Sequence, residues 1–570
     1  SEEFIKFTSY LKRVFFSNGI HHHYGMQKFE PEFSTTFFVE ALASIPEGKL
    51  KAATGESTTA ILNTLLPVLF DPNVASKRVN QSVGEDLIRS SANNYYEGVT
   101  QAEVEAFYAA MRKPNDDEPL SYGLNSRLVK KKDGTLEEER YMLGGRYSEQ
   151  IERIIYWLSK AQEVAENDDQ RKIIKTLIEF YQTGDLKTFD EYSIRWVKDQ
   201  KSHIDFLNGF IETYGDPLGI KASWEAIVNF KNIEATKRTE IISSNAQWFE
   251  DNSPIDSRFK KKEVKGVSAK VITVAMLGGD CYPATPIGIN LPNANWIRQR
   301  YGSKSVTIEN ITDAYDKASQ GNGFNEEFML SKEEIERKQS FGTITDNLHT
   351  DLHECLGHGS GQLLPGVSQD ALKAYGATVE EARADLFGLY YMADEKMVQL
   401  GLLPTNEAYK TAYYQYMMNG LMTQLTRIKE GDNIEESHMR NRQLIARWAY
   451  EKGAAQKVVE LVQLNGKTFV KINDYKALRN LFGALLKEIQ RIKSEGDYES
   501  AKNLVETYAV KVDTRLHAEV LARYKKLNLA PYKGFVNPIY TPVYNNKQEI
   551  VDVQVSYNEG YLEQHLRYGK

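Results

Sequence analysis

The sequence contains only two cysteines among its 570 residues, Cys281 and Cys355. This scarcity excludes a fold held together by disulfide bridges. Neither a Cys₄ nor a Cys₂His₂ structural zinc pattern is present in the sequence. No stretch approaches 18 consecutive apolar residues, so no membrane-spanning helix is predicted. The net charge of −7 comes with scattered Lys and Arg residues, which offer no basic stripe for binding a nucleic acid.

The residues that are present are typical of a globular protein, with 41% hydrophobic and 26% charged residues and a length that suits roughly two to four domains. Long amphipathic patterns predict an α+β protein that is mainly helical, and Asp133-Gly134 predicts a hairpin turn. The predicted helices lie at 100–111, 148–181, 222–245, 332–340, 378–401, 406–429, 435–452, 475–494 and 498–524. The predicted strands are few and lie at 269–276, 285–290 and 549–557.

The most informative segment is His353-Glu354-Cys355-Leu356-Gly357-His358, which places two histidines and a carboxylate on one predicted helix. In the common zinc-protease motif H-E-x-x-H, the two histidines are about 40° apart around the helix. Here the second histidine is one residue further on, roughly 140° away on a regular α-helix, which is too far for both rings to reach one tetrahedral ion. A π-type turn would realign the two rings, and we expect the distortion at Gly357.

Two other interpretations of this segment are open. The histidines could fall together by chance, which for this string happens in roughly one chain in a thousand of this length. The second alternative pairs His349 with His353 at the regular i, i+4 spacing. Thr350 follows His349, so that pair would lack an adjacent base.

A catalytic zinc needs a third protein ligand and an open position for water. The best supplier is the segment 378–391, where Glu381, Asp385 and Gly388 form one stripe of a predicted helix beside an apolar stripe. Solvated helix faces also carry Glu and Asp, so the alternative is an ordinary surface stripe. Proximity to the histidine motif favours a metal ligand.

These segments resemble the paired signature of the dipeptidyl peptidase III family of zinc exopeptidases, whose motifs are H-E-x-x-G-H and E-E-x-R-A-(E/D). The second motif is present here as Glu380-Glu381-Ala382-Arg383-Ala384-Asp385. Segments 210–217, 288–293 and 437–442 also resemble family segments and occur in the same order. The resemblance covers nearly the whole chain from Phe4 onward.

The resemblance implies a metal centre with one Zn²⁺ per chain. The implied zinc ligands are His353, His358 and Glu381. Glu354 would be the general base for a water that the metal activates to attack the scissile carbonyl. Glu380 and Asp385 would orient the ligand imidazoles through their other ring nitrogens, and the sequence leaves open which carboxylate faces which histidine.

The resemblance also implies a set of substrate contacts. Tyr214 and His438 would contact the scissile carbonyl or the transition state, and Arg442 is a further binding candidate. The residues implied to hold the free amino terminus of the substrate, and so to fix the cut two residues away, are Glu212, Asn290 and Asn293. Taken singly, each has an ordinary alternative as a core tyrosine, a surface histidine or part of a turn.

The fold implied by the resemblance has two lobes across a wide cleft. The upper, helical catalytic lobe with zinc would comprise 233–273 and 320–533. The lower lobe, with a small five-stranded β-barrel, would comprise 1–232, 274–319 and 534–570. Because the chain begins with Ser1 and family members carry a further segment before it, we expect that it is processed, clipped or lacks its beginning. No secretory signal is visible, and the expected compartment is the cytoplasm.

The sequence therefore predicts a zinc metallopeptidase that releases dipeptides from the free amino termini of short peptides, without a nucleic acid or a membrane span. One alternative is another zinc exopeptidase, such as a monoaminopeptidase, whose amine anchor would lie one residue closer to the metal. The other is a catalytically inactive peptide-binding protein, against which the intact Glu354 argues.

Overall fold

The structure is a computed structural model that describes residues 1–23, 25–264, 267–282, 286–529 and 534–569. Its first hundred residues form mostly short helices, with a small aromatic core of their own around Tyr10 and Phe33. The elements of this part are α1 (Glu2–Phe16), α2 (Thr35–Ala43), α3 (Glu47–Thr54), α4 (Thr58–Phe70), α5 (Leu87–Ser90) and β1 (Tyr96–Glu97).

A hairpin and four helices follow. They are α6 (Gln101–Met111), β2 (Ser126–Lys130), β3 (Leu136–Arg140), α7 (Ser148–Glu163), α8 (Asp168–Thr183) and α9 (Leu186–Lys198). The predicted turn at Asp133-Gly134 is confirmed: it joins β2 to β3, and Gly134 has a φ of 87°, which a glycine adopts at no steric cost. The amphipathic run predicted at 148–181 is two helices, because Asn167 caps the start of α8.

Five strands form one sheet in the order β4-β5-β6-β8-β7, with β6 and β8 parallel and the other pairs antiparallel. Its strands are β4 (Ile204–Glu212), β5 (Ser223–Lys231), β6 (Val267–Gly279), β7 (Gly288–Leu291) and β8 (Ser303–Ile308). β6 confirms the strand predicted at 269–276. β7 corresponds to the strand predicted at 285–290, of which Thr285 lies outside the described residues. Closure of the sheet into a barrel stays a prediction.

The predicted helix over 222–245 is wrong in its first half. Ser223–Lys231 forms β5, and the helix that follows is Ile233–Ser244. Alternate side chains from Glu225 to Asn229 are buried, which is the two-residue period of a strand. Hydrogen bonding of β5 to a neighbouring strand on each side outweighs the local helix preference of this segment.

The helices around the sheet connect it to a long helical part of the chain. They are α10 (Ile233–Ser244), α11 (Ala246–Asn252), α12 (Asn295–Tyr301), α13 (Glu309–Ser319) and α14 (Phe324–Phe328). The helical part comprises α15 (Lys332–Leu352), α16 (Gly376–Met392), α17 (Glu395–Gln399), α18 (Tyr409–Leu421), α19 (Ser437–Lys452), α20 (Tyr475–Glu495), α21 (Tyr498–Val505) and α22 (Thr514–Leu527), with the hairpin β9 (Val459–Leu464) and β10 (Lys467–Ile472).

The C-terminal part is a second hairpin and a helix: β11 (Ile539–Tyr544), β12 (Ile550–Ser556) and α23 (Tyr561–Tyr568). β12 confirms the strand predicted at 549–557. In the part of the chain that the structure describes, no helix is long and apolar enough to cross a membrane.

Two large hydrophobic cores organise the chain. The larger one is built from α15, α16, α18, α19 and α20 with their neighbours. The second is built from α7, α8, α9 and the five-stranded sheet. The segment after α15 contacts α16 on one side and strands β6, β7 and β8 on the other. It therefore lies where the two cores meet.

Candidate active site

The histidine motif begins where α15 ends. His353–Gly357 forms a single π turn, in which the N–H of His358 donates to the carbonyl oxygen of His353 at 3.0 Å. The two rings now lie with centroids 4.7 Å apart and planes at 87°. The π turn predicted from the i, i+5 spacing is therefore confirmed, and it brings two histidines onto one side of the helix.

Gly357 has a packing role in this turn. A β-carbon at this position would lie 2.7 Å from both the α-carbon and the carbonyl oxygen of Ala384 on α16. These are backbone atoms, which cannot move aside as the end of a side chain can. The glycine thus lets the π turn approach α16, the helix that carries the second motif.

α16 brings Glu381 to the two histidines. Within the described ranges, His353, His358 and Glu381 form the one group of metal-binding side chains whose ligand atoms all lie within 4.8 Å of one another. Oε2 of Glu381 is 3.4 Å from Nε2 of His353 and 3.9 Å from Nε2 of His358. His349, the histidine of the alternative pairing, is not part of this group, and its Nε2 atom faces the main-chain oxygen of Asp385 at 3.3 Å.

Asp385 orients His353. Its Oδ1 atom lies 2.7 Å from Nδ1 of His353, and its Oδ2 atom accepts hydrogen bonds from Tyr416 and Asn441 at 2.7 and 2.8 Å. Burial acts to raise the pKa of Asp385, but the hydrogen bond and charge of His353 outweigh it and hold the pKa below its ordinary value. An ionised Asp385 keeps the proton of His353 on Nδ1 and leaves Nε2 available as a ligand atom.

Glu380 plays the same part for His358, with Oε1 2.8 Å from Nδ1. It also accepts hydrogen bonds from Arg383 and Lys493. Burial would raise the pKa of Glu380, but the charges of these two cations outweigh burial and hold the pKa well below its ordinary value. The pairing of carboxylates with histidines, which the sequence left open, is thus Asp385 with His353 and Glu380 with His358.

Glu354 lies beside the group and is buried. Its Oε1 atom is 3.9 Å from Nε2 of His353, and its Oε2 atom has no hydrogen-bond partner among the described residues. Burial raises the pKa of Glu354, although the two histidines act in the opposite direction. A buried carboxylate with an uncommitted oxygen is suited to accept a proton.

Tyr214 and His438 both reach the carboxylate of Glu381, from other parts of the chain. The Tyr214 hydroxyl donates to Oε1 of Glu381 at 3.0 Å, and Nε2 of His438 is 3.6 Å from Oε2. Nδ1 of His438 lies 2.6 Å from Oε1 of Glu436. Burial would lower the pKa of His438, but the carboxylates of Glu436 and Glu381 outweigh it and raise the pKa to about 9.

The three residues expected to bind the substrate amine differ in which of their polar atoms already have partners. Glu212 lies at the end of β4, where the side-chain amide of Asn293 donates to the main-chain oxygen of the neighbouring Ile211 at 3.3 Å. Burial raises the pKa of Glu212 to about 7, although Asn293 acts in the opposite direction. The amide nitrogen of Asn290 is committed to Ser305 and to the main-chain oxygen of Glu354, the latter at 2.7 Å. Its Oδ1 atom is buried without a hydrogen-bond partner among the described residues. That oxygen is the part of Asn290 able to accept a further donor.

Arg442 is half-buried on α19, one turn beyond His438. Its charge acts on His438, on Glu436 and on Asp385. The structure thus brings this sequence candidate to the same site.

Sequence reasoning missed three cations that line a pocket next to His358: Lys261, Arg298 and Lys493. Burial lowers the pKa of Lys261 to about 8 and that of Lys493 to about 8. Lys261 stands in a run of lysines and Lys493 on an amphipathic helix, so both resemble solvated surface residues. Arg298 lies shortly after the Asn-Leu-Pro-Asn segment. Its closeness to the expected amine-binding residues of that segment could have marked it as a further site residue.

Comparison with known proteins identifies the family of the chain. The sequence model of peptidase family M49 matches residues 89–373 and 366–538. Dipeptidyl peptidase 3 of Nematostella vectensis is 22% identical over 574 residues, which covers 89% of this chain and 77% of that protein. Dipeptidyl peptidase 3 of Dictyostelium discoideum is 26% identical over 313 residues, 48% of this chain and 43% of that protein. The chain therefore aligns with less than half the length of the Dictyostelium relative.

A solved structure shows a similar fold. Dipeptidyl-peptidase III from Corallococcus sp. strain EGB superposes with a TM-score of 0.65 at 18% identity, covering 90% of each chain. The family match extends over most of the sequence, between residues 89 and 538. The chain belongs to peptidase family M49, the dipeptidyl peptidase III family of metallopeptidases.

Proposed function

We propose that the protein is a zinc-dependent dipeptidyl peptidase that removes dipeptides from the free amino termini of short peptides. The observation that carries the proposal is the convergence of His353, His358 and Glu381 within 4.8 Å, beside the buried carboxylate of Glu354. Three ligands with an adjacent base are the requirements of metal-assisted peptide hydrolysis.

The donor set suits zinc. Two imidazole nitrogens and one carboxylate oxygen are ligands that zinc commonly takes in catalytic sites with an open fourth position. Both Nδ1 atoms are engaged by carboxylates, so His353 and His358 would bind the ion through Nε2, together with Glu381. When bound, zinc would lower the pKa of a water and polarise the scissile carbonyl.

The proton transfers fall to residues of the chain itself. Glu354 would accept the proton of the attacking water and pass it to the leaving amine. The Tyr214 hydroxyl and the His438 imidazolium would donate to the carbonyl oxygen as it gains negative charge. The raised pKa of His438 supports this role, because it keeps the ring protonated at neutral pH.

The amine anchor would be formed by Glu212, by Asn293 and by the Oδ1 atom of Asn290. An ammonium group offers three donors, and these residues offer a carboxylate and amide oxygens in return. Because the anchor is fixed relative to Glu354, the bond that is cut would lie a constant two residues from the amino terminus. Arg442 would contribute a further contact from α19.

The pocket of Lys261, Arg298 and Lys493 supports a preference for short peptides. Three cations around one pocket favour a carboxylate group as ligand. The pocket is lined by His358 as well, so it adjoins the proposed metal centre. The carboxyl terminus of a short peptide would reach it, whereas the middle of a long chain carries no such charge.

The two large cores support the proposed division into lobes, with 1–232, 274–319 and 534–570 below and 233–273 and 320–533 above. In this division the chain passes from one lobe to the other near residue 274, which lies within β6, and near residue 533, which lies outside the described residues. A five-stranded barrel in the lower lobe and a cytoplasmic location remain parts of this proposal.

The decisive experiment is product analysis. Peptides of three to ten residues, free or acetylated at the amino terminus, are incubated with the protein before and after chelation and zinc restoration. We expect dipeptides from the free peptides only, loss of turnover with the chelator, and recovery with zinc. Release of single amino acids would instead indicate a monoaminopeptidase.

Two variants separate catalysis from binding. Glu354→Gln should retain one zinc per chain but lose turnover by orders of magnitude, since it removes a base and no ligand. Glu333→Gln, an exposed change on α15, serves as the matched control. Turnover of Glu354→Gln near that of the control would contradict the proposed role of Glu354.

A further inference from the structure

The N-terminal segment reaches the loop that precedes α19. Nζ of Lys77 lies 2.7 Å from Oε1 of Glu435, whose side chain is only 3% exposed. The main-chain N–H of Gln81 donates to Oε2 of the same carboxylate at 3.2 Å. Both oxygens of Glu435 are therefore held by residues more than 350 positions earlier in the sequence.

Arg440 completes this contact from α19. Its Nη1 atom donates to Oε1 of Gln81 at 2.8 Å, and its Nη2 atom lies 3.4 Å from Oε2 of Glu435. Arg440 is 2% exposed, and its Nε atom donates to the main-chain oxygen of Ile434 at 2.8 Å. A buried ion pair tolerates little displacement because each charge loses its partners when it moves. The loop before α19 is thus fixed from both sides.

Glu436, which follows Glu435 in that loop, holds the ring of His438. Oε1 of Glu436 lies 2.6 Å from Nδ1 of His438 and accepts from its main-chain N–H at 3.1 Å. Oε2 of Glu436 accepts from the N–H of Met439 at 2.8 Å, so the same carboxylate caps the start of α19. The direction of the His438 ring therefore depends on where the loop places Glu436.

We propose that Lys77 and Gln81 are positioning residues for His438. They act through Glu435 and Glu436 and have no contact with the metal ligands among the described hydrogen bonds. Both precede residue 89, where the match to the family model begins, so the contribution comes from a part of the chain outside the matched segment. The inference rests on the proposed function, because it assigns His438 to the stabilisation of the transition state.

The test uses steady-state kinetics of the zinc-loaded full chain with a dipeptidyl-naphthylamide substrate. Lys77→Met removes the ion pair with Glu435, and Gln81→Ala removes the acceptor of Arg440 while keeping the main-chain donor to Glu435. Each should lower kcat by roughly 2- to 30-fold, the size of an effect that is transmitted through a chain of contacts. KM should change far less, because the affected contact forms in the transition state. Lys77→Arg keeps the charge and should restore most of the turnover.

Lys429→Met is the matched control. It breaks another ion pair between the N-terminal segment and the helical part, Lys429 with Glu30 at 2.7 Å, in which both side chains are more than 60% exposed. Its kcat should equal that of the unaltered protein, and the melting temperatures of all variants show whether folding is intact.

A double-mutant cycle separates positioning from general destabilisation. In the His438→Ala background, Lys77→Met should lower the residual kcat no further, because the group being positioned is absent. An equal loss in both backgrounds, or no loss in either, would overturn the proposal.

A second readout does not depend on turnover. In the protein with ¹⁵N-labelled histidine, Lys77→Met should shift the Nδ1 resonance of His438, whereas Lys429→Met should leave it in place. A resonance that does not move would also overturn the proposal. If the unaltered protein releases no dipeptides, the proposed function fails, and the resonance still reports whether Lys77 positions the ring.

Discussion

The side-chain amide of Asn290 donates a hydrogen bond of 2.7 Å to the main-chain oxygen of Glu354. Ser305 adds a second bond to the same oxygen at 2.9 Å. Strands β7 and β8 are thereby joined to the π turn at the residue proposed as the base. The sheet therefore fixes the backbone of Glu354, and the proposed amine anchor shares a residue with that attachment.

This double attachment gives a first prediction. Ser305→Ala removes one of the two bonds to Glu354 and also the hydroxyl that accepts from the Asn290 amide. It should cost about 1–2 kcal/mol of stability, with a small change in kcat/KM. Asn290→Ala also removes the Oδ1 acceptor, so kcat/KM for free peptides should fall by a further ~10-fold or more. The measurement is kcat/KM for both variants beside their unfolding free energies. Equal losses in kcat/KM would show that Asn290 only supports the backbone.

The second prediction concerns the carboxylates behind the histidines. Asp385→Asn and Glu380→Gln should each weaken zinc binding by about 10- to 100-fold, because the imidazoles lose the partners that fix their ligand nitrogens. Competition with a chelator measures the affinity. Glu395→Gln, an exposed change on α17, is the control. Unchanged affinity in both variants would rule out this orienting role.

The third prediction concerns Gly357. Gly357→Ala places a β-carbon 2.7 Å from backbone atoms of Ala384, so the π turn and α16 must separate. We expect a loss of about 1–3 kcal/mol in unfolding free energy together with weaker zinc binding. Gly48→Ala on α3 meets no atom within 4 Å and should be neutral or slightly stabilising. A Gly357→Ala protein with normal stability and zinc affinity would refute the packing argument.

The fourth prediction is a pH dependence from Glu212, whose pKa burial raises to about 7. In the proposed amine anchor the ionised carboxylate of Glu212 binds the substrate ammonium, so kcat/KM should fall as the pH is lowered through about 7. It should also fall above about pH 8, where peptide amines lose their proton. Glu212→Gln should remove the acidic limb of the profile. An acidic limb of unchanged midpoint in that variant would assign it to another group.

The raised pKa of Glu212 also makes the free energy of unfolding depend on pH. Because the pKa of Glu212 is higher in the folded protein than its ordinary value of 4.5, the ionised form is disfavoured in the fold. The stabilising contribution of the protonated group is fully present below about pH 4.5 and is lost as the pH rises through about 7. Glu212→Gln should therefore flatten the stability profile across that range in chemical denaturation.

The sequence alone predicted the features that depend on local spacing. The five-residue separation of His353 and His358 requires a π turn if both are to bind one ion, and the structure has that turn. Amphipathic periods likewise predicted most helices of the second half, because helix burial follows a 3.6-residue repeat. β5 escaped prediction, since its strand conformation comes from hydrogen bonds to β4 and β6 that no local pattern encodes.

Tertiary structure alone decided the pairings across the site. Asp385 faces His353 and Glu380 faces His358 because of the way α16 packs against the π turn through Gly357. Lys493 and Lys77 have the sequence context of surface lysines, yet one reaches Glu380 and the other Glu435. Such contacts join residues far apart in sequence, and their energy comes from burial and charge that exist only once the chain is folded.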